Sequence, residues 1–191
     1  RVMEDKIANF LGFKNFAIAS WNYPRDMRVL ELGPNPFQFN IPREEDRDRI
    51  LNGGPWILDN QLLVLRKWHM NIEEDAIAFN IAPLWIQVWN LLVHWISKET
   101  RKKIGVVFNE AIPQSGGKEG RHIKILVMAD ISRPLMRGTI VKLNGTVKWI
   151  NFKYEQYLEF YYKCGRVAHS EKSCKNVVAV GNGLPYNLFG L

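Results

Sequence analysis

Cysteine is almost missing from this chain: two residues in 191 cannot build the disulfide framework on which small secreted scaffolds rely. The sequence shows no signal-peptide pattern, so both thiols are expected to be reduced and the protein intracellular. Long apolar runs are missing too. The richest stretch, residues 77–96, is broken by Asn80, Pro83, Gln87, Asn90 and His94, and none approaches the ~20 residues that a spanning helix needs. No membrane partner is expected. Histidine is scarce, and the chain contains no G-x-S-x-G, no H-E-x-x-H and no spaced set of carboxylates. A nuclease or hydrolase would need His69, His94 or His122 as base beside carboxylates, whereas lone histidines near tryptophans are more commonly packed structural residues. The expected class is therefore not an enzyme.

What is present is enough apolar material for a core, 47% of residues with seven tryptophans among them. The net charge of +7 is unevenly distributed. Residues 1–95 carry 10 Lys and Arg against 12 Asp and Glu, while residues 96–191 carry 16 against 7, a net of +9. A basic half of this kind points to a polyanion.

Patterning divides the chain into a subdomain over 1–68, a connector over 69–83, a basic α/β subdomain over 84–155, a segment over 156–174 that holds both cysteines, and a tail over 175–191. Met3, Ile7, Phe10 and Leu11 have helical spacing, with Gly12 placed to stop that helix. Residues 16–21, 28–32 and 37–41 read as strands, separated in part by the Gly33-Pro34-Asn35-Pro36 turn. Three acids, Glu44, Glu45 and Asp46, follow Pro42 in what reads as a first helical turn, and Gly53-Gly54-Pro55 ends that helix. Residues 61–68 read as a strand. This order is that of a ferredoxin-like or RNA-recognition-type fold lacking its first strand. The run Glu73-Glu74-Asp75 reads as solvated loop.

Residues 84–91 read as a strand whose two faces are both mostly covered. Ser97 caps a helix reaching about residue 110, with Ile104, Val107 and Phe108 inward and Lys98, Arg101 and Lys102 outward. Residues 114–120 resemble a phosphate loop only superficially and read as a connector, since Glu119 follows Lys118 where Ser or Thr is required. Residues 122–130 form a strand. Residues 138–143 and 146–152 form a hairpin closed by Asn144-Gly145, the strongest short hairpin signal. Lys124, Lys142, Lys148 and Lys153 punctuate these strands, and with Trp149 or Tyr154 on one face they would suit phosphates and stacked bases. The expected class is α+β: two small helix-backed, antiparallel-rich sheets, partly ferredoxin-like or RRM-like, followed by a C-terminal segment that holds both cysteines.

Cys164, His169 and Cys174 fall five apart and five apart again, close enough for one loop to bring two thiolates and an imidazole to a zinc ion. The alternative is a pair of ordinary thiols near a surface imidazole. The segment resembles the retroviral-type zinc knuckle, C-x2-C-x4-H-x4-C, at its second Cys, its His and its last Cys. Tyr161 stands at the first Cys position and Ala168 where a glycine usually precedes the His. Weak zinc binding is the expectation. Together with Gly54-Pro55-Trp56, Trp85-Ile86-Gln87-Val88 and Lys153-Tyr154-Glu155, the chain resembles a plant family of unknown function found in LINE-type retroelement reading frames. In that family the domain precedes a zinc knuckle. The resemblance implies non-catalytic nucleic-acid binding, to single-stranded RNA or DNA. Lys98, Arg101, Lys102, Lys142, Lys148, Lys153, Tyr161, Tyr162 and Arg166 are the expected contacts. A protein-interaction scaffold is the alternative; the sequence names no protein partner.

Overall fold

The computed structural model describes residues 1–3, 9–72, 76–108, 118–119, 122–155, 160–161, 164–167 and 174. The acidic run at 73–75, His169, Tyr162 and residues 175–191 lie outside them.

Val2–Met3 (β1) is a strand and not helix, pairing antiparallel with Leu62 and Leu63. A strand therefore stands ahead of the first helix, where the sequence reading places helix. The helix begins later, at Phe10–Trp21 (α1), because Asn9 supplies the cap: its side-chain oxygen accepts from the Leu11 N–H at 2.9 Å. Gly12 sits inside its first turn. Residues 16–21, read as strand, are helical because Phe13, Ala17 and Trp21, four apart, bury one stripe. Asn22, at φ 53°, ends the helix in the left-handed region that Asn tolerates.

Arg28–Glu31 (β2) and Phe37–Asn40 (β3) form the expected hairpin, and Glu44–Asn52 (α2) the expected helix. Trp56–Leu58 (β4) and Gln61–Leu63 (β5) make a second hairpin. Its turn, Asp59 (φ 47°) and Asn60 (φ 66°), shows the positive φ pair of a type I′ connection. The strand expected over 61–68 thus stops at Leu63. The sheet order is β1-β5-β4, and the Val2 N–H donates to Asn35 C=O at 3.0 Å, tying it to the β2–β3 hairpin. Around Trp21 stand Phe13, Phe16, Phe39 and Trp56, with ring centroids 5.4–5.9 Å away, mostly edge-on, the arrangement the ring quadrupoles favour.

The second layer begins three residues earlier than expected, at Ile81–Trp89 (β6), after a 3-10 turn over Ala76–Phe79. Lys98–Val106 (α3), capped by Ser97, is shorter than read and leaves Val107 exposed while Ile104 and Phe108 are buried. Lys118–Glu119 (β7), expected as connector, pairs with His122–Asp130 (β8). Gly138–Leu143 (β9) and Thr146–Tyr154 (β10) are joined at Asn144 (φ 49°) and Gly145 (φ 80°). The five strands run β7-β8-β6-β10-β9, each pair antiparallel. α3 covers one face, with the Phe108 and Phe152 rings 5.1 Å apart. Leu62 and Val64 from the first layer join the same apolar cluster. Arg66 adds polar ties: Nε donates to Ala78 C=O at 2.6 Å, and Nη2 donates to Ile81 C=O. No helix among the described residues is long and apolar enough to cross a membrane.

Trp21→Ala should cost about 3–5 kcal/mol, the range for emptying a buried aromatic site. A urea midpoint unchanged by that substitution would show that the aromatic cluster does not hold the first layer.

Candidate nucleic-acid interface and metal centre

β6 lies between β8 and β10, and its side chains alternate strictly. Ala82, Leu84, Ile86 and Val88 are buried on the α3 side, while Pro83, Trp85, Gln87 and Trp89 occupy the opposite, outer face half-buried. Of the two faces expected to be mostly covered, one is fully buried and the other half-buried. Register carries the alternation sideways: Gln87 pairs with Lys124 on β8 and Lys153 on β10, Trp89 with Asn151, and Trp149 with Ile140 on β9. Successive strand residues point to opposite faces, so indoles and ammonium groups collect on one side.

Lys124 Nζ stands 4.8 Å from the Trp85 ring centre and Lys153 Nζ 4.9 Å from that of Trp89, within cation–π range. Trp89 also stacks on His122, centroids 4.6 Å apart at 19°. A polar chain fixes these groups. Trp89 Nε1 donates to Gln87 Oε1 at 2.9 Å, Gln87 Nε2 donates to Glu155 Oε1 at 2.9 Å, and Glu155 is ion-paired with Lys124. Beyond them, Trp149 is 48% exposed between Ile140 and Val147, both more exposed still.

The knuckle segment is no free tail. Phe160–Tyr161 (β11) pairs with Arg166–Val167 (β12), and the turn between them holds Cys164 and Gly165, the latter at φ 75°. Val167 is buried within the apolar cluster of the five-stranded sheet, and the Leu135 N–H donates to Gly165 C=O at 2.8 Å. Both thiols are reduced and hydrogen-bonded to each other. Burial pushes the Cys164 thiol up, the Cys174 contact adds to this, and the Arg166 backbone N–H opposes it. Two thiol sulfurs brought together are what a zinc knuckle requires of its second and last positions, so these residues fit the metal. Cys164 and Cys174, with His169, would hold it, and the ion would supply a structural cross-link. Among the described residues no group of three or more His, Cys, Asp or Glu meets at one point.

The expected contacts do not form one surface. Lys142 and Lys153 lie on the outer face, but Lys148 shares the helix-facing side with Ile150. Lys98, Arg101 and Lys102 are carried by α3, which backs that helix-facing side, so the sheet separates them from the outer-face tryptophans. Tyr161 pairs with Arg166 across the knuckle hairpin. Sequence reasoning missed Trp85, Gln87, Trp89, His122 and Lys124 as one surface. The signal was the two-residue spacing of Trp85, Gln87 and Trp89, matched by Trp149, Asn151 and Lys153.

The protein is thus an α+β body carrying a docked C-terminal knuckle. Residues 1–75 match the family model described as a domain of unknown function (DUF4283), and residues 129–176 match the one described as a zinc knuckle. No curated protein and no solved structure matches the chain. The order, unknown-function domain and then knuckle, is the one its motifs led us to expect. A knuckle carries nucleic-acid interaction as its general association and makes zinc a candidate ligand. The match reaches well upstream of residue 160, into the strands on which the knuckle docks.

A phenol with reference pKa about 10 is a poor replacement for a thiol near 8.5 as a zinc ligand. Complete sites release about 10–16 kcal/mol, and we expect one thiolate of four to contribute roughly 3 kcal/mol or more. Tyr161→Cys should therefore tighten zinc roughly a hundredfold. Unchanged affinity in a chelator competition would defeat the knuckle reading. Because Val167 is part of the core, zinc at about 100 times its Kd should raise whole-body stability by about 2.7 kcal/mol. A metal-independent melting curve would show the knuckle to be uncoupled.

Proposed function

We propose that this chain is a non-catalytic nucleic-acid-binding protein that takes single-stranded RNA or DNA on its C-terminal half, and that it derives from a LINE-type retroelement reading frame. The observation that carries the reading is the meeting of the Cys164 and Cys174 thiols beside Arg166, in the half of the chain with a net charge of +9. Long-range attraction from such a surface concentrates phosphates, and aromatic side chains among the cations hold bases without reading their sequence.

The same placement supports binding over catalysis. His122 is stacked on Trp89, and His69 Nδ1 lies 3.0 Å from the carbonyl oxygen of Met70. Arg66, which lines a cleft of about 630 Å³ in the first layer, directs Nε, Nη1 and Nη2 at backbone carbonyls. That guanidinium holds chain to chain.

If about four phosphates are neutralised, log affinity for a single-stranded oligonucleotide should fall against log salt with a slope of roughly −3, from about −0.7 per contact. Anisotropy titrations across a salt series measure it. Binding that does not change with salt would reject the assignment.

A further inference from the structure

We propose that Trp149 is a preformed platform on which one unpaired base of a single strand stacks, with Lys142 and Lys153 meeting the flanking phosphates. The inference rests on the nucleic-acid reading above and assigns it a place: the outer face of the five-stranded sheet at the β9–β10 edge.

The geometry begins at Gly138. A Cβ there would come within 2.1 Å of Ile150 C=O and 2.9 Å of Trp149 Cε2 and Cζ2. The indole therefore lies directly over bare backbone, a position that only glycine leaves open. Its edge is fixed as well, since Nε1 donates to Asn151 Oδ1 at 2.8 Å. From below, Asn90 Nδ2 donates to the Trp149 carbonyl at 2.8 Å. The Nε1 side of the ring is thus held against the sheet, and the ring is 48% exposed. The other outer-face indoles are already occupied: Trp85 by Lys124, Trp89 by His122 and Lys153. A ring tethered in place and open to solvent before the ligand arrives loses little conformational freedom on stacking.

Charge selects the occupant. Two acids of the outer face are engaged, Glu155 by Lys124 and Asp130 by Arg133 and Ser132, while Glu119 belongs to β7, at the opposite edge of the sheet from β9. Lys142 and Lys153 are exposed and meet no carboxylate among the described residues. A flat apolar ring between uncompensated ammonium groups matches a base between phosphates.

The test uses the full chain and two oligonucleotides of equal length, one single-stranded with bases and one abasic. Wild type should bind the first about tenfold more tightly than the second. Trp149→Ala should lose about tenfold on the first and little on the second, with an unchanged salt slope, and Trp149→Phe should recover part of the loss. Lys142→Gln should instead lower the slope by about 0.7. Melting curves establish that each variant is folded, and if Trp149→Ala is not, Trp149→Phe and Lys142→Gln carry the comparison. Wild-type affinity in Trp149→Ala, or in Trp149→Phe and Lys142→Gln together, overturns the platform while leaving the nucleic-acid reading intact. No binding of either oligonucleotide by wild type defeats that reading and the platform with it. Self-association abolished by Trp149→Ala, with no oligonucleotide binding, would mark the patch as a protein interface and overturn the proposal.

Discussion

The body depends on the two-residue period of β6. Ile81–Val88 pair with β8 on one side and Ile86–Trp89 with β10 on the other, so the faces of this strand dictate those of both neighbours. Shifting the register by one residue would place Trp85, Gln87 and Trp89 beneath α3 and turn Leu84, Ile86 and Val88 into water. Each of those apolar side chains gains about 1.5–3 kcal/mol by burial, so the alternative register is heavily disfavoured. Core and outer face are two consequences of the same alternation. Ile123, Ile125, Ile150 and Phe152 align with the buried residues, and Lys124, Lys153 and Trp149 align with the tryptophans because they must.

The knuckle enters this arrangement from the side. Residues between β8 and β9 are held by the sheet and by the knuckle hairpin together: Leu135 bonds Gly165, the Phe152 N–H donates to Arg137 C=O, and Tyr154 Oη donates to Met136 C=O at 2.8 Å. Burial raises the pKa of that phenol and keeps it a neutral donor. The chain then turns directly into β9, which carries Ile140 and Lys142 on the outer face. A cross-link between Cys164 and Cys174 therefore bears on the same segment that sets the edge of the tryptophan surface. The candidate metal site and the proposed ligand face belong to one packed body, joined through Val167.

The first layer contributes by packing. Its aromatic cluster around Trp21 gives it a core of its own, and Leu62, Val64 and Arg66 attach it to the start of β6. The Arg49 guanidinium, donating to the Trp21 carbonyl at 3.0 Å, ties α2 to the end of α1.

Much of this was readable from local chemistry. Asn144-Gly145 can hold positive φ at both turn positions, and it closes a hairpin; Ser97 can accept from Thr100 N–H, and it caps a helix; three acids after Pro42 open α2. The spacing of Cys164 and Cys174 already brought two thiols within one loop. Other features were not readable. Residues 16–21 pass for strand until the stripe of Phe13, Ala17 and Trp21, spaced four apart, finds its partners in Phe37, Phe39 and Trp56. β1 is two residues long, and only Leu62 and Leu63, about sixty positions away, make it a strand. Lys148 and Lys153 look alike in sequence, yet one faces the helix side and the other an indole, because parity against Val88 decides it. Turn chemistry, caps and residue spacing act between neighbours in the chain and so are written in the sequence itself. The pairing of distant strands, the face each side chain occupies and the docking of Val167 depend on which residues share one core, and only the tertiary structure settles that.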